Sequence, residues 1–144
     1  MGLRSFLSGK SSGRVRRPLM DDPCGDIGEM AIRESKSKIT FIGSWNRDFL
    51  QPVPGEDGII VEIGNAIRRG VEVTIFYKRN PKKLPYPEVI RDLGIPLKKL
   101  PCQTKYNMMI VDGKHMRFKR RVMAFPKMAY APDIAEPTEE KLYS

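Results

Sequence analysis

Residues 59–77, IIVEIGNAIRRGVEVTIFY, decide the fold class, because an amphipathic helix here runs directly into a buried strand. A helix over Gly58–Arg69 would carry its apolar side chains on one face, at Ile59, Ile60, Ile63, Ala66 and Ile67. Gly70 then stands where a left-handed C-terminal cap is favoured. Val71–Tyr77 is an apolar run, which is typical of a strand covered on both faces. The stretch therefore predicts one helix–strand unit of an α/β sheet.

The same alternation continues on both sides of this unit. Other predicted elements, in chain order, are a helix from Asp21, strand Lys38–Gly43, helix Pro87–Leu93, strand Ile95–Leu100 and strands Asn107–Val111 and Lys114–Phe125. Asp112 and Gly113 form a hairpin turn signature between the last two strands. Strands that alternate with helices predict an α/β fold with a mostly parallel mixed sheet, flanked by helices and completed by a C-terminal hairpin.

Composition divides the 144 residues into a folded domain, 21–125, and two tails. Residues 1–20 combine basic side chains with serine and glycine and lack acids, which is typical of a flexible basic arm. We expect a cytoplasmic protein. A transit peptide has the same composition as this arm, so import into an organelle is the alternative. Residues 126–144 are rich in proline and acid and predict a loosely packed tail. No apolar run approaches the roughly 18 residues of a membrane-spanning helix.

The net charge of +9 favours an anionic partner, which could be nucleic acid, an acidic lipid surface or an acidic protein. Cys24 and Cys102 lie far apart, and no secretory signal precedes them. We expect two free thiols, with a tertiary disulfide as the alternative. A single histidine and the lack of paired cysteines predict no metal site, and we expect no cofactor.

Three phrases in a fixed order resemble the phospholipase D superfamily. They are AIRESKSKITFIGSW at 31–45, IGNAIRRGVEVTIFYKR at 63–79 and IRDLGIPLKKLPCQTKYNMMIVDGKHM at 90–116. The resemblance covers roughly residues 24–122. It implies one half of the fold of that family, and because family enzymes pair two motifs, it also implies a homodimer or docking beside an active partner domain.

The family motif reads His, any residue, Lys, four residues, Asp, then usually Gly-Lys and a later Gly-Ser-x-Asn. Lys105 stands at the histidine position and Asn107 at the lysine position, whereas Asp112, Gly113 and Lys114 match. The later Gly-Ser-x-Asn is also lost, because its positions hold Lys119, Arg120 and Val122. Only the strand and turn that end the motif are therefore similar.

These replacements bear directly on chemistry. In the family the histidine attacks phosphorus, whereas a lysine with an unshifted pKa of about 10.4 has no free lone pair at neutral pH. Asn107 can donate hydrogen bonds but brings no charge to a phosphate. The resemblance thus implies a non-catalytic module. If an altered site is active, its residues would be Lys105, Asn107, Asp112 and His115.

The densest basic segment predicts a phosphate-contacting strip. Its members, extended by two residues after an earlier strand, are Lys105, Lys114, Arg117, Lys119, Arg120, Arg121, Lys78 and Arg79. The alternative is a charged sheet edge that resists aggregation. Trp45, Tyr77 and Tyr106 lie near predicted strand ends, where they could stack on bases or pack in the core. We therefore predict a non-catalytic module that binds nucleic acid. An altered phosphodiesterase or nuclease, an interaction subunit and a lipid-binding protein remain the alternatives.

Overall fold

The computed structural model describes residues 27–51, 58–118, 128–134 and 136–143. The helices are α1 (Ile27–Glu34), α2 (Arg47–Leu50), α3 (Ile59–Arg68), α4 (Pro87–Leu93) and α5 (Glu139–Tyr143), with a 3-10 turn at Pro81–Lys83. The strands are β1 (Lys38–Ile42), β2 (Glu72–Tyr77), β3 (Leu97–Lys99), β4 (Met108–Val111), β5 (Lys114–Phe118) and β6 (Met128–Tyr130). Within these ranges no helix is long and apolar enough to cross a membrane.

One mixed sheet organises the structure, with strand order β3-β2-β1-β4-β5-β6. The predicted α/β fold, its flanking helices and the hairpin between β4 and β5 are confirmed. Parallel pairing is confined to β1, β2 and β3, whereas β4, β5 and β6 pair antiparallel. The sheet is therefore less parallel than expected. A parallel neighbour needs a crossover connection, and α3 and α4 supply crossovers only between β1, β2 and β3.

The larger core lies between the sheet and helices α1 and α3. Apolar positions of helix α3 face inward as the periodicity predicts, and Ile59 and Ile63 are fully buried. Alternate strand residues such as Phe41 and Met109 meet them from the sheet. The Arg33 guanidinium of α1 forms ion pairs with Glu29 at 2.8 Å and with Glu62 at 3.2 Å. Glu62 is the acidic residue of α3, and this ion pair compensates the burial of its charge.

The opposite face of the sheet is covered by the C-terminal part of the chain. Ile42, Phe76 and Met108 form a second cluster with Ile134 and Leu142. Strands β1 and β2 are buried on both faces, so burial of the apolar residues on this second face also stabilises the fold. Helix α5 adds a hydrogen bond of 2.8 Å between the hydroxyls of Thr40 and Tyr143.

The expectation of a loosely packed tail at 126–144 therefore differs from the structure. β6 pairs with β5, and Leu142 of α5 is buried. The proline and acid content suggested loose packing, but the apolar residues of this segment have a sheet face to cover. Residues 1–20 and the end of the return strand predicted through Phe125 lie outside the described residues. The flexible basic arm at 1–20 stays a prediction.

Candidate phosphate-binding site at the strand ends

The site lies at the sheet edge where β1 and β2 end and β4 begins. Gly43 follows β1, Lys78 follows β2, and Asn107 precedes β4. Because β4 runs antiparallel to β1, its first residues meet the last residues of β1. Ser44 strengthens this junction, since its Oγ donates to the carbonyl oxygen of Met108 at 2.6 Å. Carboxyl ends of parallel strands are the usual place for a ligand in an open α/β sheet.

Lys78 holds the segment before β4 against the end of β2. Its Nζ donates to the carbonyl oxygens of Tyr106 at 2.8 Å and Thr104 at 3.2 Å. A third bond of 2.9 Å reaches Oδ1 of Asn107. An ammonium has three donors, so all three are used within the protein. Burial lowers the pKa of Lys78 from its ordinary value. Lys78 therefore lies at the strand ends, and its donors point toward its own chain.

Gly43 permits this close packing. Its φ of +64° lies in the left-handed region, and a Cβ there would stand 2.6 Å from Oδ1 of Asn107 and 3.0 Å from Cε of Lys78. Sequence reasoning treated Gly43 only as the end of a strand. Its role depends on two residues distant in sequence, so only a glycine directly after the buried run KITFI hinted at it.

Two cavities open at this edge and share Lys78 and Arg79 as a common wall. The larger, of about 790 Å³, also carries Lys99 and Lys105. The smaller, of about 400 Å³, also carries Lys83. Among the described residues that line them, none is acidic. The electrostatic character of both cavities is therefore positive, and Arg79, Lys83, Lys99 and Lys105 are exposed.

The ring of Tyr106 joins one further cation to this edge. The Arg117 guanidinium lies 5.0 Å from the ring centroid, and Nζ of Lys105 lies 5.6 Å from it. These distances are in the range of cation–π contacts. Arg117 reaches this edge because its position on β5 is paired with Met108 at the start of β4. Lys78, Arg79, Lys105, Asn107 and Arg117 are thus the predicted site residues that the structure gathers here.

Asp112 lies at the opposite end of β4 from Asn107. The five residue steps between these positions, at about 3.3 Å each, put them about 16 Å apart. Its carboxylate accepts hydrogen bonds of 2.8–3.0 Å from the backbone N–H groups of Lys36, Ser37 and Lys38. Burial alone would raise the pKa of Asp112, but these bonds and the Lys114 charge outweigh burial and lower it. Asp112 thus fixes the start of β1 rather than facing the cavities.

His115 and Lys114 also lie away from the cavities. The carbonyl oxygen of Pro137 can only accept, so Nε2 of His115 donates to it at 2.6 Å. His115 thereby contacts the C-terminal segment on the second sheet face. The four residues predicted for an altered catalytic site are consequently split, with Lys105 and Asn107 at one end and Asp112 and His115 at the other.

The remaining sequence predictions fall into three groups. Trp45 is core, because it is 3% exposed, meets Phe41 at 5.2 Å and donates from Nε1 to the Pro85 carbonyl oxygen at 2.8 Å. Cys102 is a free cysteine of the larger cavity. Those outside the described residues are Cys24, Lys119, Arg120, Arg121 and Val122. In the part of the chain that is described, no cluster of His, Cys, Asp or Glu could hold a metal ion.

Comparison with known proteins finds distant structural likenesses and no sequence match. No family model matches the chain, and no curated protein matches it. One similar solved structure is TrmBL2, an archaeal chromatin protein described as showing a novel mode of DNA binding, with 15% identity and a TM-score of 0.47 over 72% of this chain. Another is Nuc from Salmonella typhimurium, a phospholipase D family member, with 23% identity and a TM-score of 0.45 over 64% of this chain.

This chain spans 40% of the length of the chromatin protein and 60% of the length of Nuc. Both likenesses concern the course of the backbone and bear on no individual residue of the site. The resemblance of the motif to the phospholipase D superfamily stays a prediction.

Proposed function

We propose that this protein is a non-catalytic module that binds nucleic acid through phosphate groups at the edge where β1 and β2 end. One observation carries the proposal: the two adjoining cavities are lined by five basic side chains and, within the described residues, by no acidic one. Such clustering exceeds what an evenly charged surface would produce, and a concave site concentrates the positive potential. A polyanion with closely spaced charges fits this edge better than a single small anion.

The exposed members are the ones that would contact phosphate. Arg79, Lys99 and Lys105 line the larger cavity with exposed side chains. Arg79 could bind phosphate oxygens in a bidentate manner, because its guanidinium is planar and carries parallel donors. Contacts of this kind carry no direct sequence information and weaken steeply as salt is added.

The absence of catalysis is the second part of the proposal. Its support is chemical, because Lys105 and Asn107 stand at the cavities while the imidazole of His115 is bonded to Pro137 at the other end of the sheet. A phosphoryl-transfer nucleophile would have to reach the phosphate at hydrogen-bonding distance or slightly more. Homodimerisation, docking to a partner domain and binding of acidic lipid stay predictions.

The experiment is fluorescence anisotropy of labelled DNA of about 20 nucleotides, titrated at several salt concentrations in EDTA and followed for hours. We expect a stable rise whose affinity falls with salt. Arg79→Ala and Lys105→Ala should each reduce the slope of log K against log salt by about 0.7–0.9, as the loss of one phosphate contact requires. Lys114→Ala is the matched control, because this exposed lysine lies at the opposite end of the sheet.

Two results would contradict the proposal in different ways. No salt-sensitive rise with either single or double strands would reject nucleic acid as the ligand. A rise that later decays, with shortened DNA on a gel, would show cleavage and reject the non-catalytic part. If Lys114→Ala lowered the slope as much as Lys105→Ala, binding would not be located at the cavities.

A further inference from the structure

We infer that this edge takes a single strand rather than a duplex, with the nucleosides on either side of one phosphate seated in the two cavities. The inference deepens the proposed function and rests on it. Its starting point is the common wall formed by Lys78 and Arg79, because these two residues line both cavities. A phosphate held by the exposed Arg79 would therefore lie beside both cavities, within reach of the nucleosides attached to it.

The sizes of the two spaces suit nucleosides. The cavities measure about 790 and 400 Å³. Sites for small organic ligands span about 300–1,000 Å³, so each cavity could hold one base with its sugar. A phosphate bound at the common wall would itself fill only a small part of this space, which leaves room for the groups attached to it.

The lining supplies what bases need besides charge. The larger cavity presents the apolar groups of Leu100 and Pro101 beside the polar side chains of Gln103 and Thr104. The smaller presents Tyr77 and Leu84 beside the amides of Asn80 and Asn107. Apolar or aromatic surfaces pack on the faces of unstacked bases, and amides form hydrogen bonds with their edges. Proteins that bind single strands combine a cationic groove with aromatic side chains, and the smaller cavity has both, through Arg79 and Tyr77.

A duplex meets two obstacles here. Its bases are stacked and paired, so entry into a cavity would require a base to flip out at an energetic cost. Contact with the base edges of an intact duplex requires an α-helix or a two-stranded ribbon inserted into a groove. At this edge, the described residues form strand ends, loops and the short 3-10 turn at Pro81–Lys83. A single strand faces neither obstacle, because its bases are already accessible.

The test compares three labelled ligands of equal length by anisotropy at one salt concentration: a single strand, the same strand in a duplex, and an abasic strand with the same number of phosphates. We expect the single strand to bind about 10- to 100-fold more tightly than either of the others. The comparison is stringent, because the duplex has the higher charge density and would win if charge alone decided affinity.

The outcomes separate this inference from the proposed function. Equal or tighter binding of the duplex or the abasic strand would overturn the inference and leave phosphate-mediated binding standing. Failure of all three ligands to bind would reject the proposed function and, with it, the inference. Tighter binding of the single strand supports both.

Chemical modification locates the bound strand. The chain has two cysteines, so Cys24→Ser leaves Cys102 of the larger cavity as the only thiol. The single strand should slow alkylation of Cys102 by iodoacetamide several-fold, whereas the abasic strand should not. Gln103→Cys in a protein that also carries Cys24→Ser and Cys102→Ser gives a second probe on the same wall, and Gln103 is exposed. Unchanged alkylation of both thiols under saturating single strand would overturn the placement of a nucleoside in that cavity.

Discussion

Replacing Lys78 by methionine retains most of the side chain's length and removes the ammonium that ties the segment before β4 to β2. Three hydrogen bonds of 2.8, 2.9 and 3.2 Å disappear. A hydrogen bond that involves a charged group contributes about 1.5–3 kcal/mol. Water can replace part of the loss, because Lys78 is only half-buried and Asn107 is exposed. We therefore expect the free energy of unfolding to fall by about 2–4 kcal/mol in total.

Urea denaturation followed by far-ultraviolet circular dichroism measures this change. The matched control is Lys82→Met, which removes an exposed ammonium four residues further on in the same turn region. We expect the control to change the free energy of unfolding by less than about 0.5 kcal/mol, as for most surface substitutions. Equal effects of the two substitutions on stability would refute the role assigned to the three bonds.

DNA binding provides an independent measure, because a lysine whose donors are all used inside the protein makes no phosphate contact. Lys78→Met should weaken binding by loosening the cavity wall, yet leave the slope of log K against log salt unchanged. Arg79→Ala should reduce that slope by about 0.7 for a single strand. A slope reduced equally by Lys78→Met would mean that Lys78 contacts phosphate directly, and the reasoning would be wrong.

Three further predictions follow from contacts elsewhere. Gly43→Ala should destabilise the fold by about 1–3 kcal/mol through backbone strain and the clash with Oδ1 of Asn107. Gly94→Ala isolates the strain in the same denaturation assay, because Gly94 has a similar φ of +68° but open space around it, and equal losses would rule out the clash. Asp112→Asn should lower stability at neutral pH but not in acid. Because the folded pKa of Asp112 lies below the unfolded pKa of 3.8, its carboxylate stabilises the fold above pH 3.8, and this contribution is lost as the pH falls through the folded pKa. A difference in stability between the two proteins that persists in acid would contradict this. Burial raises the pKa of Glu139, so ionisation of its carboxyl group reduces the stability of the fold as the pH rises above the unfolded pKa of 4.5. Glu139→Gln should therefore raise the free energy of unfolding at pH 7 by about 0.5 kcal/mol or less. A loss of stability at that pH would contradict the burial assigned to Glu139.

Local patterns were sufficient for most helices and strands. The inward face of α3 repeats with the period of a helix, and α3 begins at Ile59, one residue after the predicted start. Strand β2 at Glu72–Tyr77 likewise matches its apolar run. These elements could be predicted because their period depends on neighbours three, four or two residues away. The expectation that most strands pair in parallel was not met, because the local sequence does not indicate that β4 pairs with β1 in the antiparallel direction.

The sequence could show which residues are basic but not which of them share one edge of the sheet, because that also depends on strand direction. Lys105 and Lys114 are close in sequence and were placed on one strip, but the course of β4 carries them to opposite ends of the sheet. Lys78 and Asn107, 29 residues apart, meet at 2.9 Å. Gly43, directly after β1, leaves the space in which they meet. No periodicity in the chain relates these three positions.

From the sequence alone came the basic character and most of the helices and strands, because charge and period are local properties. The tertiary structure alone showed which cations share a wall, which donors are already used and which part of the chain covers the second sheet face. These features depend on strand order and direction, and burying apolar surface on both faces of the sheet selects them through contacts between residues far apart in the chain.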